Sequence, residues 1–314
     1  MILAVAFMWL ATRNTHWGEV SQLIAGASWR WLAVCLALVI VDRVLMAWRS
    51  VTLLRAVEAP PHVPLHRLLR LFFVSTFVGT FLPGSIGGDA VRVVSLTRLG
   101  VSTSAAAGSV AVDRLLGTVS VLLMAVFGAM LAGQRLDARW LRLAMLVAAI
   151  GVSGAMLLLF DSRVLAGLVR SAGGGRFPTI ERWAQKFLAA VRQYGEHHGV
   201  LFAILGASVA VQALRSAQAW CLGLALGFSI SGVWYFALIP FVVLAFLVPA
   251  SMSGLGFGTW SFVPLFVNLA HLEQPDAVAL SLLFWFLGVL GNLPGGLLML
   301  VAPGDEASLK RPKS

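Results

Sequence analysis

A membrane-grade apolar run that is broken at half length permits few folds, and this chain carries such a break at F-L-P-G-S-I-G-G-D-A-V-R, Phe81 to Arg92. The run before it, Leu71 to Leu82, would make a helix about 18 Å long at about 1.5 Å per residue, against a hydrocarbon core of about 30 Å. It cannot cross alone. Pro83, Gly84, Ser85, Gly87 and Gly88 interrupt it, and Asp89 to Leu99 then reads as a second short helix. Asp89 stands at its start, Arg98 in its last turn and Gly100 at its stop. Two half-length helices joined by a Pro/Gly tip predict a re-entrant hairpin. The uncapped amides of such a tip are tolerated at membrane depth only against protein or a wet cavity.

The remainder of the chain is of the same class. Of 314 residues 59% are hydrophobic and 11% charged, with a mean hydropathy of +0.90, far from the roughly 25% charged residues of a soluble domain. These values predict an all-α polytopic membrane protein forming a single membrane domain over 1–314. The longest polar stretch, Asp161 to His198, is short and broken by apolar residues, so it makes no soluble domain. Cys35 and Cys221 lie inside apolar runs without metal-type spacing, so no disulfide, no metal and no cofactor is expected. The net charge of +10 would suggest nucleic acid in a soluble protein. In a membrane protein it bears on topology instead, and no nucleic-acid partner is expected.

Along the chain, Met1 to Ala11 is apolar but half a span long, without the charged start and small-residue cleavage site of a signal peptide, and reads as a clipped first helix. The next span, about Trp31 to Leu54, contains Asp42 and Arg43. After the hairpin come a span from Ala105 to Leu131 with Asp113 and Arg114, and an uncharged one from Leu141 to Phe160. Ile180 to His197 carries Trp183, Phe187, Leu188 and Val191 at helical spacing, consistent with a surface helix or one packed on the bundle. Val200 to Leu226 spans again and holds Arg215.

Val233 to Val248 is a second run too short to span comfortably, and it ends in P-A-S-M-S-G-L-G-F-G, Pro249 to Gly258. Pro83, Ser85 and Gly88 map onto Pro249, Ser251 and Gly254 at a constant offset of 166 residues. Each break lies between short apolar runs flanked by full spans. The expected plan is therefore about six spans plus two re-entrant hairpins, in two units of about 31–131 and 200–301 joined by 132–199. Loop charge orients it. The loops 49–70, 161–198 and 304–314 carry 13 Lys and Arg, against 5 in 12–30 and 133–142, which puts the first group and the C-terminus in the cytoplasm. The two hairpins then enter from opposite sides, an inverted repeat of the kind that transporters use.

Three stretches carry a resemblance: Pro64 to Arg92, V-D-R-L-L-G from Val112 to Gly117, and P-A-S-M-S-G-L-G from Pro249 to Gly256. Together they resemble the transmembrane region of the lysylphosphatidylglycerol synthase family, also called the flippase-like domain, over nearly the whole chain. The resemblance implies flipping of a lipid or of a lipid-linked molecule in a bacterial inner membrane. It implies no aminoacyl transfer, since the family's soluble synthetase domain has no counterpart in these residues. In one place the pattern departs: members often carry a charged pair after the second glycine motif, where this chain has Gly258, Thr259 and Trp260.

The chemistry rests on ionisable groups at membrane depth, each costing about 2.5–3.5 kcal/mol at the centre, so each needs a partner or a wet cavity. Asp89 and Arg92 share a helical face and are positioned to pair, with Asp89 alternatively a helix cap and Arg92 a phosphate clamp. Asp113 and Arg114 point to different faces, with Asp42, Arg43 or Arg92 as expected partners. Arg215 has no acid in its own span and is a candidate for lipid phosphate or for pairing with Asp113 or Asp42. Candidate substrate-binding residues are thus Arg43, Asp89, Arg92, Asp113, Arg114 and Arg215. The candidate hairpin tips are Pro83, Gly84, Ser85, Gly87 and Gly88 in the first unit, and Pro249, Ser251, Gly254 and Gly256 in the second. His62, His66, His197, His198 and His271 lie in loops or at span ends, away from these charges. The partner expected is a membrane lipid with an anionic headgroup or a lipid-linked phosphate. An intramembrane transferase and a non-transporting partner subunit of an envelope-building enzyme are the alternatives. The first would need an acid–base pair beyond what Asp89 and Asp113 offer.

Overall fold

The computed structural model describes residues 15–57, 63–82, 86–133, 197–246 and 257–301, together with residues 9, 12, 13, 143, 146, 150, 151 and 194. Pro83, Gly84, Ser85, Pro249, Ser251, Gly254 and Gly256 lie outside these residues, as does most of the span and surface helix read between 141 and 197.

Nine helices occur among the described residues: α1 Trp17–Ala25, α2 Trp29–Val57, α3 Leu65–Phe81, α4 Ile86–Arg98, α5 Thr103–Ala132, α6 His198–Ala225, α7 Gly232–Phe246, α8 Phe257–Ala270 and α9 Gln274–Val301. Four of them, α2, α5, α6 and α9, are long and apolar enough to cross a membrane, at 28 to 30 residues each. Between the members of each long pair stand two short helices, of 17 and 13 residues in the first unit and 15 and 14 in the second. At about 1.5 Å per residue, none of the short helices reaches the roughly 30 Å of a hydrocarbon core by itself.

The boundaries correct the sequence reading in three places. The first arm of the hairpin begins at Leu65, six residues before Leu71. Pro64, extended at φ −68° and ψ 151°, precedes the first turn and suits a helix start. The second arm begins at Ile86, so Asp89 lies in its first turn and is not the cap. Residues 17–25, read as loop, form α1, because Val20, Leu23 and Ile24 fall on one face and pack on the core.

Packing follows a reciprocal pattern. Within each unit the two short helices lie on one another, α3 on α4 and α7 on α8. Between units, α3 packs on α9 and α7 packs on α5, while the leading long helices α2 and α6 meet each other. Both exchanged contacts are close backbone approaches at a glycine. A Cβ on Gly128 of α5 would lie 2.7 Å from the Ala237 Cα of α7, and one on Gly295 of α9 would lie 2.6 Å from the Phe73 carbonyl carbon of α3. The largest apolar core gathers Tyr235, Leu238, Phe262, Phe266 and Leu280 of the second unit with Cys35 and Val39 of α2. Polar groups are concentrated elsewhere, in a cavity between the halves.

Candidate functional site: an arginine-rich cavity

The cavity holds about 360 Å³ and is walled by α2 to α7 and α9, within the roughly 300–1,000 Å³ range of small-molecule sites. Helical spacing explains how charge reaches it. On α2, Asp42, Met46 and Arg49 recur at i, i+4 and i+7, with Arg43 adjoining. Asp89 and Arg92 sit three apart on α4, and Gln212, Arg215 and Gln218 recur at threes on α6. Small residues make room for the larger cations. A Cβ on Gly291 would lie 2.8 Å from the Arg43 Nε, and one on Gly117 would lie 3.8 Å from the Arg49 Nη2. The first hairpin closes through glycine as well: a Cβ on Gly88 would lie 3.0 Å from the Gly79 Cα and 3.1 Å from the Ser75 carbonyl oxygen. Gly87 packs in the same way on Leu82.

Five arginines and three aspartates line the cavity among the described residues, and their pairing sorts them. Arg114 grips Asp89 with two hydrogen bonds, Nε to Oδ2 at 2.7 Å and Nη2 to Oδ1 at 2.8 Å. Its side chain is 46% exposed, at the outer edge of the site. Asp113 is shared by two cations. Arg49 donates to its Oδ1 at 2.7 Å, and the Arg92 Nη1 lies 3.8 Å from its Oδ2. Asp42 is shared likewise, by Arg43 and Arg215, both at 3.6 Å and both beyond hydrogen-bond reach. Two Arg–Asp–Arg triads and one neutral pair result, so each triad carries one positive charge in excess.

Arg49 and Arg114 are held by short hydrogen bonds, whereas Arg43, Arg92 and Arg215 have their carboxylate partner at 3.6 to 3.8 Å. The Asp42 Oδ1 and the Arg43 Nε, both buried, have no hydrogen-bond partner among the described residues. Arg92 is 7% exposed and lies over the Phe72 ring at 4.9 Å, a cation–π contact that holds the guanidinium without consuming its donors. Arg43 also donates from Nη1 to the Met46 sulfur at 3.5 Å and from Nη2 to the Gly288 carbonyl at 3.4 Å, and Arg215 donates from Nη2 to the same sulfur at 3.5 Å. All of these contacts are long, and guanidiniums so loosely held in a low-dielectric site are suited to an anion with two or more oxygens, phosphate above all.

The structure brings all six predicted charges, Arg43, Asp89, Arg92, Asp113, Arg114 and Arg215, to one cavity, but it rearranges the expected pairs. Asp89 bonds Arg114 rather than Arg92, because a contact from α4 across to α5 allows a two-pronged fit. Of the two acids expected as partners for Arg215, the structure selects Asp42, because α6 packs on α2. Sequence reasoning missed Arg49, which it counted with the cytoplasmic loop 49–70 although the span read to Leu54 includes it. The helix runs on to Val57 and buries it, and the excess of loop arginines survives its removal. Also missed were Gln212, Gln218 and Asn292, three amides inside apolar spans. Their polarity at membrane depth was the available signal.

The family model for the transmembrane region of lysylphosphatidylglycerol synthase matches residues 1–295, nearly the whole chain. No curated protein matches it.

Proposed function

The chain belongs to the lysylphosphatidylglycerol synthase transmembrane-region family, membrane proteins related to lipid handling, and from that premise we propose that it moves an anionic or phosphate-bearing lipid between the leaflets of a bacterial inner membrane. The observation that carries this reading is the charge of the cavity: five arginines against three aspartates among the described residues, with Asp42, Arg49 and Arg92 buried, between helices of lipid-grade hydropathy. An uncompensated charge at that depth is costly, and two such charges favour an anionic guest.

The triads give a mechanism. In the proposed cycle Asp42 and Asp113 stand in for the guest before it arrives, each holding two guanidiniums. An arriving phosphate draws Arg92, Arg43 and Arg215 from their long carboxylate contacts and binds them in two-pronged geometry. Arg49 and Arg114 keep their short bonds and fix the walls. When the guest leaves, the aspartates take the arginines back, so the site need not hold the anion tightly.

In this reading 1–314 is one membrane domain of six spans and two re-entrant hairpins, the halves inverted and rocking about the cavity. The exchanged packing of α3 on α9 and α7 on α5 supports it. The C-terminus and residues 161–198 face the cytoplasm, by their excess of Lys and Arg. Cysteine labelling of intact cells tests that orientation: a cysteine at Gln134 labels from outside and one at Gly174 does not, and the reverse result refutes it.

Lipid extracted from the purified protein tests the function. Mass spectrometry is expected to find an anionic, phosphate-bearing lipid enriched over its share in the membrane of origin, with the enrichment lost in Arg92→Gln. A co-purified pool that mirrors the bulk membrane refutes the reading.

A further inference from the structure

The far wall of the cavity holds polar groups of another kind, which the phosphate does not need. Gln212 and Gln218 on α6 are 5% and 6% exposed, yet the Gln212 Oε1 and the Gln218 Nε2 have no hydrogen-bond partner among the described residues. Across from them on α9, Asn292 gives its Nδ2 to the Thr80 hydroxyl at 2.8 Å, and its buried Oδ1 is likewise without a partner. An orphaned buried amide end costs about 1–3 kcal/mol, so three in one cavity mark places where a guest's own polar atoms are expected.

From these amides we infer that the cavity contains a second subsite, for a hydroxyl-bearing headgroup: a glycerol, a polyol or a sugar attached to the phosphate that the arginines hold. The chemistry selects hydroxyl. Two of the orphaned atoms accept and one donates, and a hydroxyl does both. An ammonium only donates, so it leaves the Gln218 Nε2 unmatched, and it adds positive charge to a cavity that already has two in excess. The spacing agrees with one guest spanning both subsites, since Gln212 and Gln218 flank Arg215 on the same face of α6 at three residues to either side.

This subsite rests on the phosphate reading, and one titration separates the two. Lipids are added to the detergent-solubilised full-length protein and apparent affinity is read from thermal stability. Phosphatidylglycerol and phosphatidylethanol are both singly charged diesters, and their headgroups differ by two hydroxyls and one carbon. The first is expected to bind about tenfold more tightly, the worth of one or two satisfied hydrogen bonds. Phosphatidylethanolamine is expected to bind more weakly than either. Gln212→Met and Gln218→Met keep the shape and remove an orphaned group, the first also giving up the long Nε2–Ser120 hydroxyl hydrogen bond at 3.5 Å, so the lipid-free variants should unfold close to the parent's temperature. Each should bring the two anionic lipids to within about twofold while leaving phosphatidylethanol unchanged. Equal binding of those two lipids by the parent protein, both tighter than phosphatidylcholine, overturns the hydroxyl subsite and leaves the phosphate site standing: the amides then hold water only. Discrimination that survives in both variants also overturns it. Binding of neither anionic lipid above phosphatidylcholine removes the phosphate reading itself. Soluble glycerol 1-phosphate that stabilises as well as the lipid upholds the subsite and refutes a lipid as its source.

Discussion

The two halves of the molecule have the same order of long, short, short and long helices, but they furnish the cavity unequally. Among the described residues, seven of the eight charged ones lining it come from the first half: Asp42, Arg43, Arg49, Asp89, Arg92, Asp113 and Arg114. The second half sends Arg215, with the amides Gln212, Gln218 and Asn292 and the rings of Phe246, Phe284 and Trp285. Its hairpin is correspondingly apolar, with Pro240 inside α7, Pro264 inside α8, and Phe262 stacked on Phe266 at 4.6 Å. A shared backbone plan thus carries two chemistries. One half is a cation bank of four arginines only partly offset by its own three aspartates; the other is a neutral wall with a single cation.

The largest expected effect probes the cation bank. Asp113→Asn strands Arg49 and Arg92 together, side chains 5% and 9% exposed, and should cost about 3–5 kcal/mol in reversible unfolding. Asp42→Asn should cost less, because its two contacts are already at 3.6 Å. If the order is reversed, the division into tightly and loosely held arginines is wrong. Next come the glycines where the halves cross. Gly128→Ala and Gly295→Ala each drive a methyl into backbone and should each cost about 1–3 kcal/mol. Gly206→Ala, with open space around it, is expected to be neutral or to stabilise its helix. A penalty at only one of the two crossings would break the equivalence of the halves. The smallest effect falls at the outer pair. With the Arg114 side chain 46% exposed, Arg114→Gln should cost about 1 kcal/mol or less, and adding Asp89→Asn should recover most of it.

Much of the plan was legible in the sequence. Helices too short to span and charges inside spans are counted directly from residues, and the three long helices given bounds in advance, α2, α5 and α6, fall within three residues of them; the breaks at Pro83 and Pro249 lie outside the described residues. Partner choice was not legible. Asp89 and Arg92 share a face, and local spacing favours their pairing, but tertiary packing brings α5 close enough for Arg114 to displace Arg92. Arg49 was hidden by its position near a helix end, where an arginine ordinarily marks the cytoplasmic side. The orphaned amides could be seen as polar residues in apolar runs, but their facing one cavity depends on how α6 and α9 turn about their axes.

The central claim is that loosely paired arginines carry a lipid anion through the membrane, and transport by proteoliposomes measures it most directly. The protein is reconstituted with labelled phosphatidylglycerol or phosphatidylcholine, and the loss of leaflet asymmetry is followed over time. The account predicts faster movement of the anionic lipid, at least tenfold slower transport in Arg92→Lys and Arg215→Lys, where charge remains but the planar fork is lost, and unfolding temperatures close to that of the parent. Equal movement of both lipids, or lysine variants that transport at the parent's rate, would contradict it.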